Sequence, residues 1–433
     1  MKIAVKMFSL LVGLGLVLAA HAQTLNTLYS FGRNELGYQP EAGVTVSPGG
    51  ELFGTTNFGG ISGLGVVYEL APPAMAGGPW TYTPIHSFNP QNGEAQAPVG
   101  TVPAIGPGGL LYGVNEGGGD GIVYRLAPPS AGTVWRESTL LAFAGTNGNG
   151  LGGDGPDGTL SVGLNGALYG AAGSGGAYGN GVVFRLSPPG MQGGTWTEQV
   201  LYSFDWAAGD GEAPRGPLAS GTGGAIYGVT QYGGISFGTV FQLLPPQSQG
   251  GLWTESLLHV FTGGSDSSYP NGVILGPGGV LYGTAAGVSH LETASASGTV
   301  FQLTPPGTPG GAWAETILHS FAGGTRNPDG SVPDSAPVLG PNGELYGTTY
   351  AGGTHGVGTI YELVPPSVPG GEWTEVILYN FTDGPDGGEP NAVAFGPDGN
   401  LYGTTLIGGV SPDGSKNLGT IFQFVLPQNG VRR

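Results

Sequence analysis

The 433-residue sequence contains no cysteine, so disulfides cannot hold it together and burial and sheet pairing must do so instead. Positive charge is scarce. Eleven Lys and Arg stand against 29 Asp and Glu, a formal charge of −18, and two of the three lysines, Lys2 and Lys6, lie at the extreme N-terminus. A body this acidic repels phosphate backbones and anionic lipid surfaces, which argues against nucleic-acid binding. Calcium, a cationic partner or a neutral one fits better. Long apolar runs are also missing: the stretch from Met7 to about Ala20 is short for a membrane span, and nothing else approaches the roughly 20 residues needed, so no membrane insertion is expected. Absent too are convincing helical patterns, a Gly-x-Ser-x-Gly elbow, zinc-ligand spacing and a dinucleotide fingerprint in a strand-to-helix context.

What the chain has is glycine, 90 residues of it, and a phrase that recurs seven times. Leu345-Tyr346-Gly347-Thr348-Thr349 is its clearest form. The glycine returns at Gly54, Gly113, Gly170, Gly228, Gly283, Gly347 and Gly403, at spacings of 59, 57, 58, 55, 64 and 56 residues, each preceded by Phe or Tyr. A period of this length marks a propeller, solenoid or array. With 39% hydrophobic residues, the glycines punctuate a packed fold rather than a low-complexity chain.

Superposed, the copies show four strand-like pieces. Strand A is short and built from small or β-branched residues, as in Ser335 to Gly340. A Gly/Asn/Asp turn leads to strand B, the recurring phrase. Strand C follows a glycine-rich loop, carries an aromatic (Tyr68, Tyr124, Phe184, Phe241, Phe301, Tyr361, Phe422) and stops six times at a Pro-Pro pair. Strand D opens with tryptophan and reaches phenylalanine eight residues on, as in Trp253 to Phe261. Because eight is even, period-two alternation places both aromatics on one face, with the His or Tyr two residues before the phenylalanine. The expected fold is an all-β, seven-bladed β-propeller with four antiparallel strands per blade. The last copy lacks strand D, and Thr24 to Phe31 supplies one near the N-terminus. Leu28-Tyr29-Ser30-Phe31 matches Leu201-Tyr202-Ser203-Phe204, so this strand is expected to pair with the C-terminal blade and close the ring, leaving no open inner edge.

Lys2 and Lys6, the apolar stretch and Ala20-His21-Ala22 read as a secretory signal ending at residue 22. Residues 23–427 then form one propeller domain of charge −20, once Lys2 and Lys6 are gone, and 428–433 a short tail. The tail carries no hydrophobic anchor, so a secreted or periplasmic monomer is expected.

The motifs LYGTTxxGG, GTVFxL and LHSF or LYSF, approached through GPDGxLYG, resemble the Gloeobacter/Verrucomicrobia-type (GloVer) tandem repeat of exported bacterial proteins. The resemblance runs from Leu28 to about Phe424, with clean copies at Leu345–Thr349 and Leu401–Thr405. It implies the repeat architecture and no reaction.

In a propeller the D-to-A and B-to-C loops share one face around the channel mouth, and loops on a rigid scaffold are where function gathers. Blades five and seven have the longest B-to-C loops; long D-to-A loops precede blades three and six. Ligand-binding candidates on this face are His290, Glu292, Arg326, Asp329, His355, Asp386, Asp413 and Lys416. Asp210, Asp383 and Asp386, with glycines between acids, suit calcium, although Asp-Gly pairs also simply make turns and no ordered calcium-loop spacing is present. No other cofactor is expected. His86, His259 and His319 share the strand D position held elsewhere by Tyr29, Tyr202 and Tyr379, which assigns them to packing; Glu198, Glu255, Glu315 and Glu375 likewise repeat in phase. No catalytic residue stands out. The composite reading is a non-catalytic binding module for a carbohydrate or protein. Two alternatives stay open: an extracellular polysaccharide hydrolase or lyase with carboxylates at the channel mouth, and a purely structural envelope protein.

Overall fold

The computed structural model describes residues 24–427, apart from 34–35, 76, 91–99, 116–120, 131–133, 144–157, 192–193, 235–236, 249, 288–296, 309, 325–326, 369, 413 and 416. The proposed leader and the C-terminal tail lie outside these residues. Seven four-stranded antiparallel sheets follow one another around an axis, each ordered A-B-C-D from the channel outward. Blade six shows the plan: A is Val338–Leu339, B is Leu345–Thr349, C is Thr359–Val364 and D is Thr374–Asn380. In blade seven the A, B and C strands are Gly388–Phe395, Leu401–Ile407 and Thr420–Val425, and strand D is Thr24–Ser30 from the other end of the chain. Thr24 pairs with Val425 and Ser30 with Thr420, and the Phe31 N–H donates to the Gly419 carbonyl at 3.0 Å. The ring closes as the sequence implies.

Each residue of the Leu-Tyr-Gly-Thr-Thr phrase has a separate task. Leu345 is fully buried against blade five, and Tyr346 points to the opposite face of the sheet, toward blade seven. Gly347 pairs with Tyr361 of strand C, and a Cβ there would collide with the Tyr361 hydroxyl and ring. The glycine therefore makes room for the strand C aromatic of its own sheet; the close approach is a cross-strand one within the blade. Thr348 reaches across the seam and donates to the Asn391 carbonyl of blade seven at 2.9 Å, as Thr404 does to Ala42 of blade one at 2.6 Å. Thr349 clamps B to C through Thr359 Oγ1 at 2.9 Å. Strand C begins at a glycine for a second reason: Gly358 has φ +97°, and a Cβ would run into Pro390, which enters from the next blade.

One expectation fails. Trp253 and Phe261 do not share a face, because strand D carries a β-bulge: Phe241 pairs with Leu257 and Val240 with His259, so Leu258 is skipped. One extra residue inverts the alternation. The tryptophan turns back to the preceding blade and the phenylalanine forward to the next. Trp313 thus meets Tyr227 at 6.1 Å and Trp373 meets Tyr282 at 6.1 Å, whereas Phe261 meets Phe301 at 5.3 Å and Phe381 meets Phe422 at 5.4 Å. A shift of the same kind occurs in the outer strand of every blade. Apolar burial therefore sits in the seams, seven similar layers of core between seven sheets, with aromatic pairs favouring the edge-to-face geometry seen here.

Candidate ligand-binding face

Five D-to-A loops enter the channel through the same backbone device. Gln39, Ala213, Tyr269, Val332 and Glu389 have φ between +52° and +58°, and a proline follows each. Non-glycine residues in this region cost on the order of 1–3 kcal/mol unless the surroundings hold them. Here they are held by the preceding blade: the Glu389 N–H donates to the Val357 carbonyl at 2.7 Å and that of Val332 to Ser297 at 2.8 Å. Recurrence in five blades ties the strain to the architecture, since it turns each loop inward to start strand A.

The inner strands enclose a cavity of about 310 Å³ at the mouth of the channel, near the lower end of the size range of small-molecule sites. Its walls are glycines and other small residues such as Gly43, Gly216, Ala336 and Ala392, interrupted by three charges, Glu41, Arg215 and Asp334. Beside it Tyr350 donates to Glu389 Oε2 at 2.8 Å. Burial raises the Tyr350 phenol well above its usual range, with the Glu389 hydrogen bond and the charges of Glu389, Asp334 and Glu41 adding to the effect. Burial also raises Glu389, opposed by that hydrogen bond and assisted by Asp383. Among the described residues, the four exposed aromatic rings are Phe58, Tyr178, Trp206 and Tyr232, exposed by 44, 59, 52 and 38%. Phe58 and Tyr178 lie in B-to-C loops, Trp206 in a D-to-A loop and Tyr232 near the C-terminal end of an extended strand B, all at this one face. Exposed aliphatic residues occur at both faces, Leu164 and Leu252 in turns of the opposite one and Ile61 and Val410 in loops of this one.

Below the rim, the bulged strands bring polar groups together in the seams. Tyr202 donates to Asp210 Oδ2 at 2.7 Å and Tyr379 to Asp386 Oδ2 at 3.1 Å. His319 Nε2 stands 3.1 Å from Asp329 Oδ1, and His259 Nε2 3.5 Å from Asp266 Oδ2. Each aspartate also accepts a backbone N–H at the start of its loop: Asp210 from Asp205, Asp266 from Thr262, Asp329 from Ala322 and Asp386 from Thr382. A glutamate of the following blade completes three of these groups. Burial and then the Asp210 charge push Glu255 up to about 7; burial and Asp266 do the same to Glu315, to about 7. Glu375 reaches about 9 through burial and the hydrogen bond and charge of Asp329. Both histidines are pulled below their ordinary value by burial, against the opposing pull of their aspartates.

Of the sequence candidates, Asp329 and Asp386 occupy these seams, and His355 is exposed with Nδ1 3.1 Å from Thr354 Oγ1. His290, Glu292, Arg326, Asp413 and Lys416 lie outside the described residues. The residues suggested for calcium belong to two seams: Asp210 lies between blades three and four, Asp383 and Asp386 between six and seven, where Asp383 is exposed. Sequence reasoning missed the convergence of His259 with Asp266 and Glu315, and of His319 with Asp329 and Glu375. It compared histidines with one another, whereas each meets acids of its own seam. The in-phase glutamates of strand D were the available signal.

Residues 147–325 and 286–432 match the Gloeobacter/Verrucomicrobia repeat. The chain belongs to this family. Comparison with curated proteins returns no match. Solved structures similar to this GloVer-repeat protein include one from Lactobacillus plantarum, 16% identical with a TM-score of 0.51 over 87% of this chain and 99% of that one. A gluconolactonase from Xanthomonas campestris (14%, TM-score 0.39, covering 75% and 85%) and a PQQ-bound aldose sugar dehydrogenase from Streptomyces coelicolor (12%, TM-score 0.41, covering 93% and 98%) also match. At these identities the likeness concerns the fold alone.

Proposed function

We propose that this GloVer-repeat protein is an exported, non-catalytic binding module that takes a carbohydrate on its variable loop face. The observation that carries the reading is the confinement of the exposed aromatic rings Phe58, Tyr178, Trp206 and Tyr232 to that face. A flat ring with an amphipathic rim offers one surface to the C–H face of a sugar while its surroundings stay wet. Carboxylates and the Arg215 guanidinium at the channel mouth supply hydroxyl partners in a cavity sized for a small group. The acidity of the chain disfavours anionic glycans and favours neutral ones.

Neutral oligosaccharides should therefore raise the melting temperature and give saturable binding in calorimetry. Trp206→Ala and Tyr178→Ala should weaken that binding by about tenfold, or 1.4 kcal/mol, with little change in the ligand-free melting temperature. Binding that survives both substitutions unchanged would remove the aromatic face from the account. A hydrolase is the second reading, and the carboxylates of Glu41, Asp334 and Glu389 around Tyr350 favour it, since glycoside cleavage uses acid pairs roughly 5 to 10 Å apart. Release of reducing ends that is lost in Glu41→Gln or Asp334→Asn would replace the binding module with that enzyme.

A further inference from the structure

Two adjacent seams hold a donor set that recurs nowhere else among the described residues: one imidazole and two carboxylates whose ligand atoms lie within 4.8 Å of one another. We propose that each binds a divalent transition-metal ion, zinc being the best match, through His259, Asp266 and Glu315 in one seam and His319, Asp329 and Glu375 in the other.

The histidine-to-carboxylate distances are close to those of a zinc site. His259 Nε2 is 3.3 Å from Glu315 Oε1 and 3.5 Å from Asp266 Oδ2; His319 Nε2 is 3.5 Å from Glu375 Oε1 and 3.1 Å from Asp329 Oδ1. Ligands at the usual zinc–nitrogen and zinc–oxygen lengths subtend a tetrahedral edge of about 3.3 to 3.5 Å. The ligand atoms are also short of partners. His259 Nε2 and Glu315 Oε1 are buried and make no hydrogen bond. An unpaired buried polar atom is costly, and two carboxylates facing each other across a seam must share a proton or a cation.

Chemical type discriminates among ions. A nitrogen donor beside two oxygens suits zinc and its neighbours and does not suit calcium, which takes oxygen. Three protein ligands leave a fourth position, and the side chains, 8 to 21% exposed, lie close enough to the surface for water to fill it. The seams on either side act as internal controls. At the histidine position they carry Tyr202 and Tyr379, whose phenols make ordinary hydrogen bonds to Asp210 and Asp386. The contact to aspartate is therefore common to these four seams, and Glu255 stands beside Asp210 as well; the imidazole is what the two histidine seams add.

The test uses untagged, metal-stripped protein titrated with zinc by calorimetry and with cobalt(II) by visible absorption. Two equivalents are expected. His259→Tyr and His319→Tyr, each borrowing the residue of a neighbouring blade, should each remove one equivalent, and the double variant both. Zinc should raise the melting temperature of the wild type and leave that of the double variant unchanged. Glu315→Gln keeps the histidine–aspartate contact and should also remove one equivalent, which separates ligation from folding. Wild-type binding no tighter than that of the double tyrosine variant, or a cobalt spectrum unaltered by the substitutions, would overturn the proposal.

Discussion

Tyr346 of blade six meets Phe395 of blade seven edge-on at 5.5 Å, where its counterparts Tyr282 and Tyr227 meet the tryptophans Trp373 and Trp313. This seam flanks the closing blade, whose outer strand Thr24–Ser30 comes from the other end of the chain. A cavity of about 720 Å³ opens there, lined by Tyr346, Pro341, Glu344, Phe395 and Leu426. Counting back eight residues from Phe31, the spacing that yields tryptophan in six blades, yields Gln23, which lies outside the described residues. Gln23→Trp should therefore supply the missing indole. Burial of that ring is expected to add about 1 to 2 kcal/mol, read as a higher urea midpoint at unchanged m-value. An unaltered or lowered midpoint would mean that this seam does not admit the ring.

Gly347→Ala tests the reading of the recurring glycine. The added methyl collides with the Tyr361 ring, which is fully buried, so the sheet must shift or the ring must leave. Overpacking of this kind costs about 1–3 kcal/mol. Tyr361→Leu alone opens space at the same spot, and the double variant should recover part of the loss. Additive losses in the double-mutant cycle would disprove the pairing of glycine with its facing aromatic.

The closure of the ring was legible because Thr24 to Phe31 repeats the outer-strand pattern and the last blade lacks one. The bulge was not. Its extra residue, Leu258 in blade four, looks like any other apolar residue of the strand, and only pairing to strand C reveals the skipped position. Missing it placed His259 on the face of Trp253, when the inverted alternation sends His259 forward to Glu315 while Glu255 turns back to Asp210. The polar seams were therefore hidden in a sequence that displayed every one of their residues. The exposed aromatics were hidden for another reason: a tyrosine in a glycine-rich loop carries no periodic signal that separates Tyr178 from Tyr350.

Thr348→Val removes a hydroxyl that joins two blades near the axis while keeping the shape of the side chain. The Asn391 carbonyl loses one donor, and a cost of about 1 kcal/mol is expected. Blades two and four carry Val114 and Val229 at this position, so the fold tolerates the replacement. Thr404→Val, which breaks the contact to Ala42, should behave alike. Chemical denaturation of both single variants and the pair checks this. A loss well above 3 kcal/mol for one of them would show that the threonine holds more than a stitch.

Stability of the metal-free protein should fall as pH rises from neutral to alkaline. Glu255, Glu315 and Glu375 have folded-state values raised to about 7, about 7 and about 9 by burial and facing acids. Between the ordinary glutamate value and these, the native state holds protons that the unfolded chain has released, so raising the pH favours unfolding. Each contribution is present in full below the ordinary value and is gone above the raised one. His259 and His319 act in the opposite sense: their lowered folded values make the unfolded chain the better proton acceptor, and stability is lost as pH falls below their ordinary value of 6.5. Above that point the histidines are silent. From pH 7 to 9 the slope is therefore set by Glu375, whose side chain is 13% exposed, and is expected to be on the order of 1 kcal/mol per pH unit at most. Glu375→Gln, with no proton to lose, should flatten the profile of urea midpoints across that window. A wild-type profile that is already flat in the presence of a chelator, or a slope that survives the substitution, would show that Glu375 does not hold its proton in the folded state.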